Sequence, residues 1–296
     1  RLCRDWSSDV CSSDLNLYHT LSQLNKLIGK TPGETSNKIT LIGGQALIAW
    51  VHAFGIEDFS NQEYDFLASD DLDFIGNQLA ITECAACWNG RVVLPTIDDS
   101  TPQTGQIVLV EQNEKGEAQV VDFLGAAYGI PAADVQNYSD RISIEGGGHY
   151  FVISPPICLM SRIKNITGYL RNAEEQMHLR EVSRIKSAIT ITARYMEYLA
   201  TQDISDGTTR RTKDAVRYLI KTLLVNKDTA SVSVSHGINF DGIFPIAIRT
   251  VQSEIYDKSI IPALEKFNQA VAKKIRSNAL RLQQKEQKKL RLQRKL

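Results

Sequence analysis

The feature that most constrains the fold is a short apolar strand that ends in two glycines and leads directly into an apolar helix. Residues 38–42 form the apolar strand, Gly43 and Gly44 follow it, and residues 45–54 predict a helix that stops at Gly55. A glycine pair lets the backbone turn tightly and leaves N–H groups free at the positive end of the helix dipole. This turn predicts an anion site, of the kind that holds phosphate groups, in a fold that mixes strands and helices.

Two aspartates alternate with apolar residues in the next predicted strand, over residues 70–76. Side chains two residues apart on a strand point to the same face, so the carboxylates of Asp71 and Asp73 are expected to lie close together. Two such carboxylates are costly to place side by side unless a cation lies between them. Carboxylate oxygens are the ligands that Mg²⁺ prefers, so the pair predicts a magnesium site.

A predicted β-hairpin supplies a third carboxylate. Residues 106–110 and 118–124 flank a polar turn that contains Gly116, and Asp122 lies in the second strand. Three carboxylates can hold one or two Mg²⁺ ions of the kind that stabilise attacking and leaving oxygens in phosphoryl-type transfer. The rival carboxylates Asp98 and Asp99 precede Ser, Thr and Pro, a composition that is typical of a surface turn.

Three segments together resemble the DNA polymerase β-like nucleotidyltransferase superfamily, and within it the bacterial AbiEii-type (type IV) toxins and their relatives. They are Leu-Ile-Gly-Gly-Gln-Ala-Leu at 41–47, Asp-Asp-Leu-Asp-Phe-Ile-Gly at 70–76 and Ile-Ser-Pro-Pro-Ile-Cys-Leu-Met-Ser-Arg-Ile-Lys-Asn at 153–165. Their order and strand context carry the resemblance, which spans residues 38–200. It implies an α+β fold, a minimal mixed β-sheet flanked by helices with a C-terminal helical domain. It also implies Mg²⁺-dependent transfer of a nucleoside monophosphate from an NTP to a hydroxyl acceptor, tRNA in toxin members.

The resemblance also implies roles for individual residues. Asp71 and Asp73 would bind both metal ions, and Asp122 would bind the catalytic metal and orient the acceptor hydroxyl. The residues expected to contact the nucleotide phosphates are those of the glycine turn and the basic residues predicted at the start of the first C-terminal helix, namely Gly43, Gly44, Gln45, Arg162 and Lys164.

The sequence departs from this family pattern in two places. Many active members have Ser or Thr directly after the two glycines, where this chain has Gln45, and the Lys-Asp-x-x-Asp motif of many AbiEii-type toxins is absent. Two alternatives to a nucleotidyltransferase toxin with a cognate antitoxin therefore remain. One is a non-catalytic nucleotide- or RNA-binding relative that acts as an interaction module. The other is antibiotic modification by the same chemistry, which the basic helical region disfavours because it would repel a cationic drug.

The zero net charge of the chain conceals a polarity along it. Residues 16–155, the predicted catalytic domain, hold 6 Lys and Arg against 18 Asp and Glu. Residues 156–272, the predicted helical domain, hold 16 against 12, and the basic tail at 273–296 holds ten against one. The tail therefore predicts contact with a polyanion such as RNA, although a solvated helix without a partner would also fit.

The remaining observations concern the first residues, membrane association, the cellular compartment and the cysteines. Residues 1–15 include an eleven-residue run, 5–15, that resembles a translated sequencing adapter, so these residues are not expected to belong to the fold. No run approaches the roughly 18 apolar residues of a membrane span. Five cysteines without a secretory signal predict a reducing, cytoplasmic setting. Cys84 and Cys87 have the spacing of half a zinc site, but no second pair follows. In the helical region, residues 231–245 predict an extended or looped interruption.

Overall fold

The computed structural model describes residues 14–57, 59–67, 72–95, 103–112, 118–144 and 148–293. It divides into two compact units, one up to Ile191 and one from Thr192 onward. Of the residues that resemble an adapter, 1–13 lie outside the described part of the chain. The fold is α+β with a helical C-terminal region, as the sequence predicts.

One mixed sheet organises the first unit. Over the described residues it has seven strands in the order β3-β4-β5-β2-β1-β7-β6. Their bounds are β1 Thr40–Leu41, β2 Leu72–Ile75, β3 Gly90–Val93, β4 Gln103–Gln112, β5 Ala118–Leu124, β6 Ser139–Ser143 and β7 His149–Ile153. β2 is parallel to β5 and antiparallel to β1, and β1 is parallel to β7. The hairpin predicted around Gly116 is present as antiparallel β4 and β5, and its turn lies outside the described residues.

The first unit also contains helices, which pack on the sheet and on one another. They are α1 Asp14–Gly29, α2 Gly33–Ser36, α3 Gly43–Phe54, α4 Asn61–Leu67, α5 Gln78–Trp88, α6 Ala132–Asn137 and α7 Pro155–Lys164, followed by a π-helical turn at Asn165–Tyr169. The predicted helix after the glycine turn is α3, and it ends as predicted at Gly55, whose φ of 57° is left-handed. Its Trp50 donates a hydrogen bond from Nε1 to the carbonyl of Ile153 (2.9 Å), which ties α3 to β7.

An aromatic cluster fills the core between α5 and the two central parallel strands. Phe74 of β2 and Phe123 of β5 are paired in register and stack with ring centroids 5.6 Å apart. Trp88 of α5 lies 6.0 Å from the first ring and 6.1 Å from the second. Because side chains alternate along a strand, the residues between these aromatics point to the opposite face. That face carries Asp73 and Asp122.

Helix α7 begins at Pro155, and its two basic residues lie at its far end. Arg162 and Lys164 were expected at the start of this helix, but the structure places both in its last turn. The helix starts at Pro155, since proline lacks an N–H that the first helical turn would leave unpaired and its fixed φ suits that position. Its residues from Pro155 to Ile163 are all buried, so α7 packs as a core element of the first unit.

The chain becomes helical at residues 155 and 156, but the two compact units divide later, at residues 191 and 192. Helix α7 lies between these positions and still belongs to the first unit, because it contacts α3 and buries its side chains there. Helix α8 (Glu175–Ser205) contributes residues to both units.

Beyond α8, the described part of the second unit consists of helices, and a buried carboxylate caps the first of them. They are α9 Arg210–Tyr218, α10 Lys227–His236, α11 Ile246–Val251, α12 Ser253–Ile255 and α13 Ile261–Gln293, with π-helical turns at Leu219–Leu224 and Tyr256–Ile260. Asp203 is fully buried and accepts hydrogen bonds from the backbone N–H groups of Arg211 (3.3 Å) and Thr212 (2.8 Å). Gln252 reaches the same carboxylate (3.5 Å) and the Thr209 carbonyl (3.0 Å). Asp203 therefore satisfies N–H groups that the first turn of α9 leaves unpaired.

The looped interruption predicted over residues 231–245 is wrong for its first part, because α10 continues to His236. The alternating Ser and Val residues favour an extended strand by propensity, but two interactions favour a helix. The Asn226 side chain caps the helix by accepting from the Asp228 N–H (2.9 Å), and α10 packs on α13 with Thr229, Ala230 and Val232 buried. Tertiary burial outweighs the local preference here.

A buried ion cluster joins α7 to α8 within the first unit. Glu181 accepts from Arg162 (3.4 Å) and Asn165 (3.3 Å), and its other oxygen lies 3.6 Å from Arg184. The side chains of Arg162 and Glu181 are only 8% and 3% exposed. Burial lowers the pKa of the Arg184 guanidinium to about 10, with the nearby Arg162 charge acting in the same direction. The Glu181 carboxylate thus lies beside two guanidinium groups, and that of Arg162 is buried.

Glu181→Gln should therefore destabilise the first unit strongly. The substitution keeps the shape of the side chain but removes the carboxylate charge beside the buried Arg162 guanidinium, which we expect to cost about 3 to 5 kcal/mol. Trp50 and Trp88 both lie in the first unit, so tryptophan fluorescence during urea unfolding reports on it.

Glu111→Gln is the matched control in the same unit. Glu111 pairs with Lys26 (2.6 Å) at side-chain exposures of 59% and 56%, and such surface pairs contribute little to stability. Equal unfolding midpoints for the two variants would contradict the importance of the buried cluster.

Candidate active site

The structure brings two of the three predicted carboxylates side by side. Asp73 of β2 and Asp122 of β5 are register partners in adjacent parallel strands. Neighbouring strands are about 4.8 Å apart, and paired residues point to the same face, so the two carboxylates lie next to each other. Both residues are partly exposed, on the sheet face opposite the aromatic cluster. Asp71, the remaining predicted ligand, lies outside the described residues.

The glycine turn packs directly against one of these carboxylates. Gly43 has a φ of 74°, in the left-handed region, and a Cβ placed there would overlap the Oδ2 atom of Asp73 and lie 3.3 Å from its Cβ and Cγ. The N–H of Ile42 donates to the Asp73 carbonyl (2.9 Å), which holds the turn on β2. Gly43 is the first residue of α3. Asp73 therefore lies at the amino end of that helix, where free N–H groups and the dipole favour negative charge.

The other carboxylate is held by two glutamines that the sequence argument did not single out. Gln103 and Gln106 of β4 each donate from Nε2 to the same oxygen of Asp122, Oδ1, at 2.8 Å. The sequence contains little signal for this arrangement, because glutamine is common on exposed strands and residues three apart on a regular strand point to opposite faces.

These carboxylates fit a hard divalent cation. Asp73 and Asp122 adjoin each other in register, and like charges this close favour a cation between them. The two donors on Asp122 are uncharged amides, so they orient the carboxylate without neutralising it. Among the described residues, no three His, Cys, Asp or Glu side chains are grouped so that they could hold a metal. The third ligand expected at this site, Asp71, lies outside the described residues.

The residues expected to contact phosphate groups fall into different environments. Gly43 is partly exposed beside Asp73, whereas Gly44 and Gln45 are buried, Gln45 with 1% exposure. The Gln45 side chain thus occupies the interior of the unit, while a Ser or Thr at this position is expected to direct a hydroxyl toward the phosphates. An anion bound at the start of α3 would therefore be held by backbone N–H groups.

The two basic residues of α7 have contacts of different kinds. Arg162 belongs to the buried ion cluster with Glu181. The methylene groups of Lys164 pack on Gly129, where a Cβ would lie 2.8 to 3.2 Å from them. Gly129 follows the carboxyl end of β5, whereas Gly43 adjoins the amino half of β2. Any phosphate contact by Arg162 or Lys164 remains a prediction.

Cys84 and Cys87 do not gather further metal ligands among the described residues. Cys84 is buried, and burial raises the pKa of its thiol to about 12, whereas zinc binds the thiolate. The rival carboxylates Asp98 and Asp99 lie outside the described residues. Over the part of the chain that the structure describes, no helix has the length and apolar character that crossing a membrane requires.

Comparison with known proteins gives remote likenesses in structure alone. No protein-family model matches the chain, and no curated protein matches it. A nucleotidyltransferase-like antigen from Paracoccidioides brasiliensis is similar over 60% of this chain and 76% of its own, at 16% identity and a TM-score of 0.36. The antibiotic-resistance factor ANT(2'')-Ia is similar over 63% and 98%, at 12% identity and a TM-score of 0.33.

The polyadenylate synthase of Megavirus is similar over 66% of this chain and 37% of its own, at 15% identity and a TM-score of 0.36. With TM-scores this low, these likenesses carry no weight for the function of this chain.

Gly43→Ala should damage the site as well as the backbone. Alanine at a left-handed φ costs about 1 to 2 kcal/mol, and its Cβ would also displace the Asp73 carboxylate. We expect the dissociation constant for Mn²⁺, a spectroscopic substitute for Mg²⁺ at oxygen sites, to rise on the order of tenfold. Electron paramagnetic resonance of free Mn²⁺ measures it.

Gly207→Ala is the control for backbone strain without displacement of a side chain, because Gly207 has a φ of 62° and a Cβ there meets no atom within 4 Å. This control should keep the Mn²⁺ affinity of the original chain. If both variants bind Mn²⁺ with unchanged affinity, Gly43 has no part in placing Asp73.

Proposed function

We propose that the chain is a metal-dependent nucleotidyltransferase that moves a nucleoside monophosphate from an NTP to a hydroxyl acceptor. The observation that carries the proposal is the in-register pair Asp73 and Asp122, with the left-handed Gly43 packed on Asp73 at the start of α3. This arrangement combines a divalent cation site with an anion site, which together match a metal-bound nucleotide. We include Asp71, which precedes β2, as a further ligand.

The protein residues would contribute position and charge. The backbone N–H groups at the start of α3 would hold phosphate oxygens close to Asp73. Asp73 and Asp71 would hold one or two Mg²⁺ ions, and Asp122 would hold the metal at the acceptor side and orient the acceptor hydroxyl. When bound, Mg²⁺ would neutralise charge on the phosphates and on the attacking oxygen. The acceptor hydroxyl oxygen would attack the α-phosphorus, forming the new phosphoester bond and breaking the bond to the β-phosphate oxygen. Pyrophosphate leaves, and the hydroxyl proton passes to solvent.

RNA, with tRNA first, is the acceptor that the charge distribution favours. The described end of the chain is the long helix α13, and every side chain from Ile275 to Gln287 is exposed. A helix exposed on all sides does not bury a core face, and its cations are available to a polyanion. The expectation of a cognate antitoxin rests on the sequence resemblance alone and is outside this proposal.

Asp73→Asn and Asp122→Asn should each abolish transfer. Either exchange removes a charged ligand, so we expect a loss of at least about 100-fold, the equivalent of about 2.7 kcal/mol in the barrier. The full chain is incubated with each labelled NTP, Mg²⁺ and total tRNA, and label on the RNA is measured by gel electrophoresis.

Asp214→Asn is the control for this experiment, since Asp214 is 50% exposed in a surface pair on α9. It should transfer label at the original rate. Absence of transfer with any NTP, together with metal-independent RNA binding, would support the non-catalytic binding module instead. Transfer that survives in both aspartate variants would refute the proposed site.

Exchange of Lys273, Arg281 and Lys285 for glutamine should weaken tRNA binding and its dependence on salt. All three side chains are exposed on α13. Each phosphate contact that is lost should lower the slope of log affinity against log salt by about 0.7 to 0.9. Fluorescence anisotropy of labelled tRNA at several salt concentrations measures this slope.

The matched control exchanges three exposed arginines that are paired with acids, Arg194, Arg210 and Arg217. It removes the same charge from the second unit and should leave the slope unchanged. Equal loss in both triple variants would mean that net charge, and not α13, determines RNA binding.

A further inference from the structure

We infer that Gln103 and Gln106 are positioning residues that hold Asp122 in the orientation needed to bind the metal ion. The inference deepens the proposed function and rests on it, because Asp122 matters in this way only if the site binds a cation. The observation behind it is a β-bulge in β4 and the two hydrogen bonds that this bulge makes possible.

The bulge places two glutamines on one face that a regular strand would separate. Gln103 pairs with Leu124 and Gly105 with Phe123, so Thr104 is an extra residue in β4 opposite β5. After the bulge, Gln106 pairs with Asp122. Residues 103 and 106 are three apart, and without the extra residue their side chains would point to opposite faces. With it, both amides point to the face that carries Asp122.

Gly105 shows that the bulge is built into the packing. The two pairings of β4 around the bulge put Gly105 on the aromatic-core face, opposite Phe123. A Cβ at Gly105 would lie 3.0 Å from Leu94 Cδ2, 3.1 Å from Ile81 Cδ1 and 3.2 Å from the Val93 carbonyl. Only a residue without a side chain lets the strand approach β3 and α5 this closely. The core therefore supports the irregular backbone that the glutamines require.

Both amides donate to the same oxygen of Asp122, so the other oxygen is the one available to a metal ion. Two N–H donors at 2.8 Å occupy Oδ1, and no other hydrogen bond to Asp122 is found among the described residues. Oδ2 remains the atom that can bind a cation. Two fixed donors also prevent rotation of the carboxylate, so the side chain loses little freedom when a metal binds. Partners of this kind commonly change metal affinity by about 10- to 100-fold.

The test exchanges the glutamines for methionine, which has a similar shape and donates no hydrogen bond. The Mn²⁺ dissociation constant of the full chain is measured by electron paramagnetic resonance for Gln103→Met, Gln106→Met and the double variant. We expect the double variant to raise this constant by about 10- to 100-fold. Each single variant should raise it less, because one donor still holds Oδ1.

Gln119→Met is the matched control, since Gln119 lies on β5 and accepts from Gln23. It should leave Mn²⁺ affinity unchanged. A further comparison introduces the glutamine exchanges into Asp122→Asn. Because the glutamines act through Asp122, they should cause no further loss of affinity in that background. A general loss of packing would weaken binding in either background.

The outcomes distinguish this inference from the proposed function. Suppose that Asp73→Asn and Asp122→Asn weaken Mn²⁺ binding and the double methionine variant binds like the original chain. The metal site then stands, and the positioning role is refuted. If Mn²⁺ binding does not depend on either aspartate, the metal site itself fails, and the inference fails with it.

Discussion

The parallel pairing of β2 with β5 is the constraint on which the candidate site depends. It aligns Asp73 with Asp122, two like charges one strand spacing apart, and the same pairing aligns Phe74 with Phe123 on the other face. The apolar contacts of the second pair, extended by Trp88, stabilise the register that brings the two acids together. A slip of one residue would move the aspartates into the core, so the register is strongly determined.

The surroundings of the aspartates follow from this register. Gly43 can pack on Asp73 because β1 pairs with β2 and ends beside it, and only glycine combines the left-handed φ with the space available. On the other side, the bulge in β4 turns two amides toward Asp122. The Asp122 carboxylate is thus oriented by two uncharged amides, and the Asp73 carboxylate lies against the backbone of Gly43.

Several elements were predictable because their signals are local. The glycine turn, the helix after it, the hairpin and the strand of Asp73 all follow from residues within a few positions of each other. Two expectations were wrong. Arg162 and Lys164 lie in the last turn of α7 and not at its start, and α10 continues through Ser231 because it packs on α13.

The sequence by itself determined which residues can do chemistry: the glycines that permit the turn, and aspartates that alternate with apolar residues and so point away from the core. Only the tertiary structure decided which of them meet. Strand order made Asp73 and Asp122 neighbours, the bulge at Thr104 brought Gln103 to the same face as Gln106, and burial placed Gln45 in the interior and Arg162 beside Glu181. These contacts join residues far apart in the chain, and their formation depends on the packing of the whole unit, which no local pattern encodes.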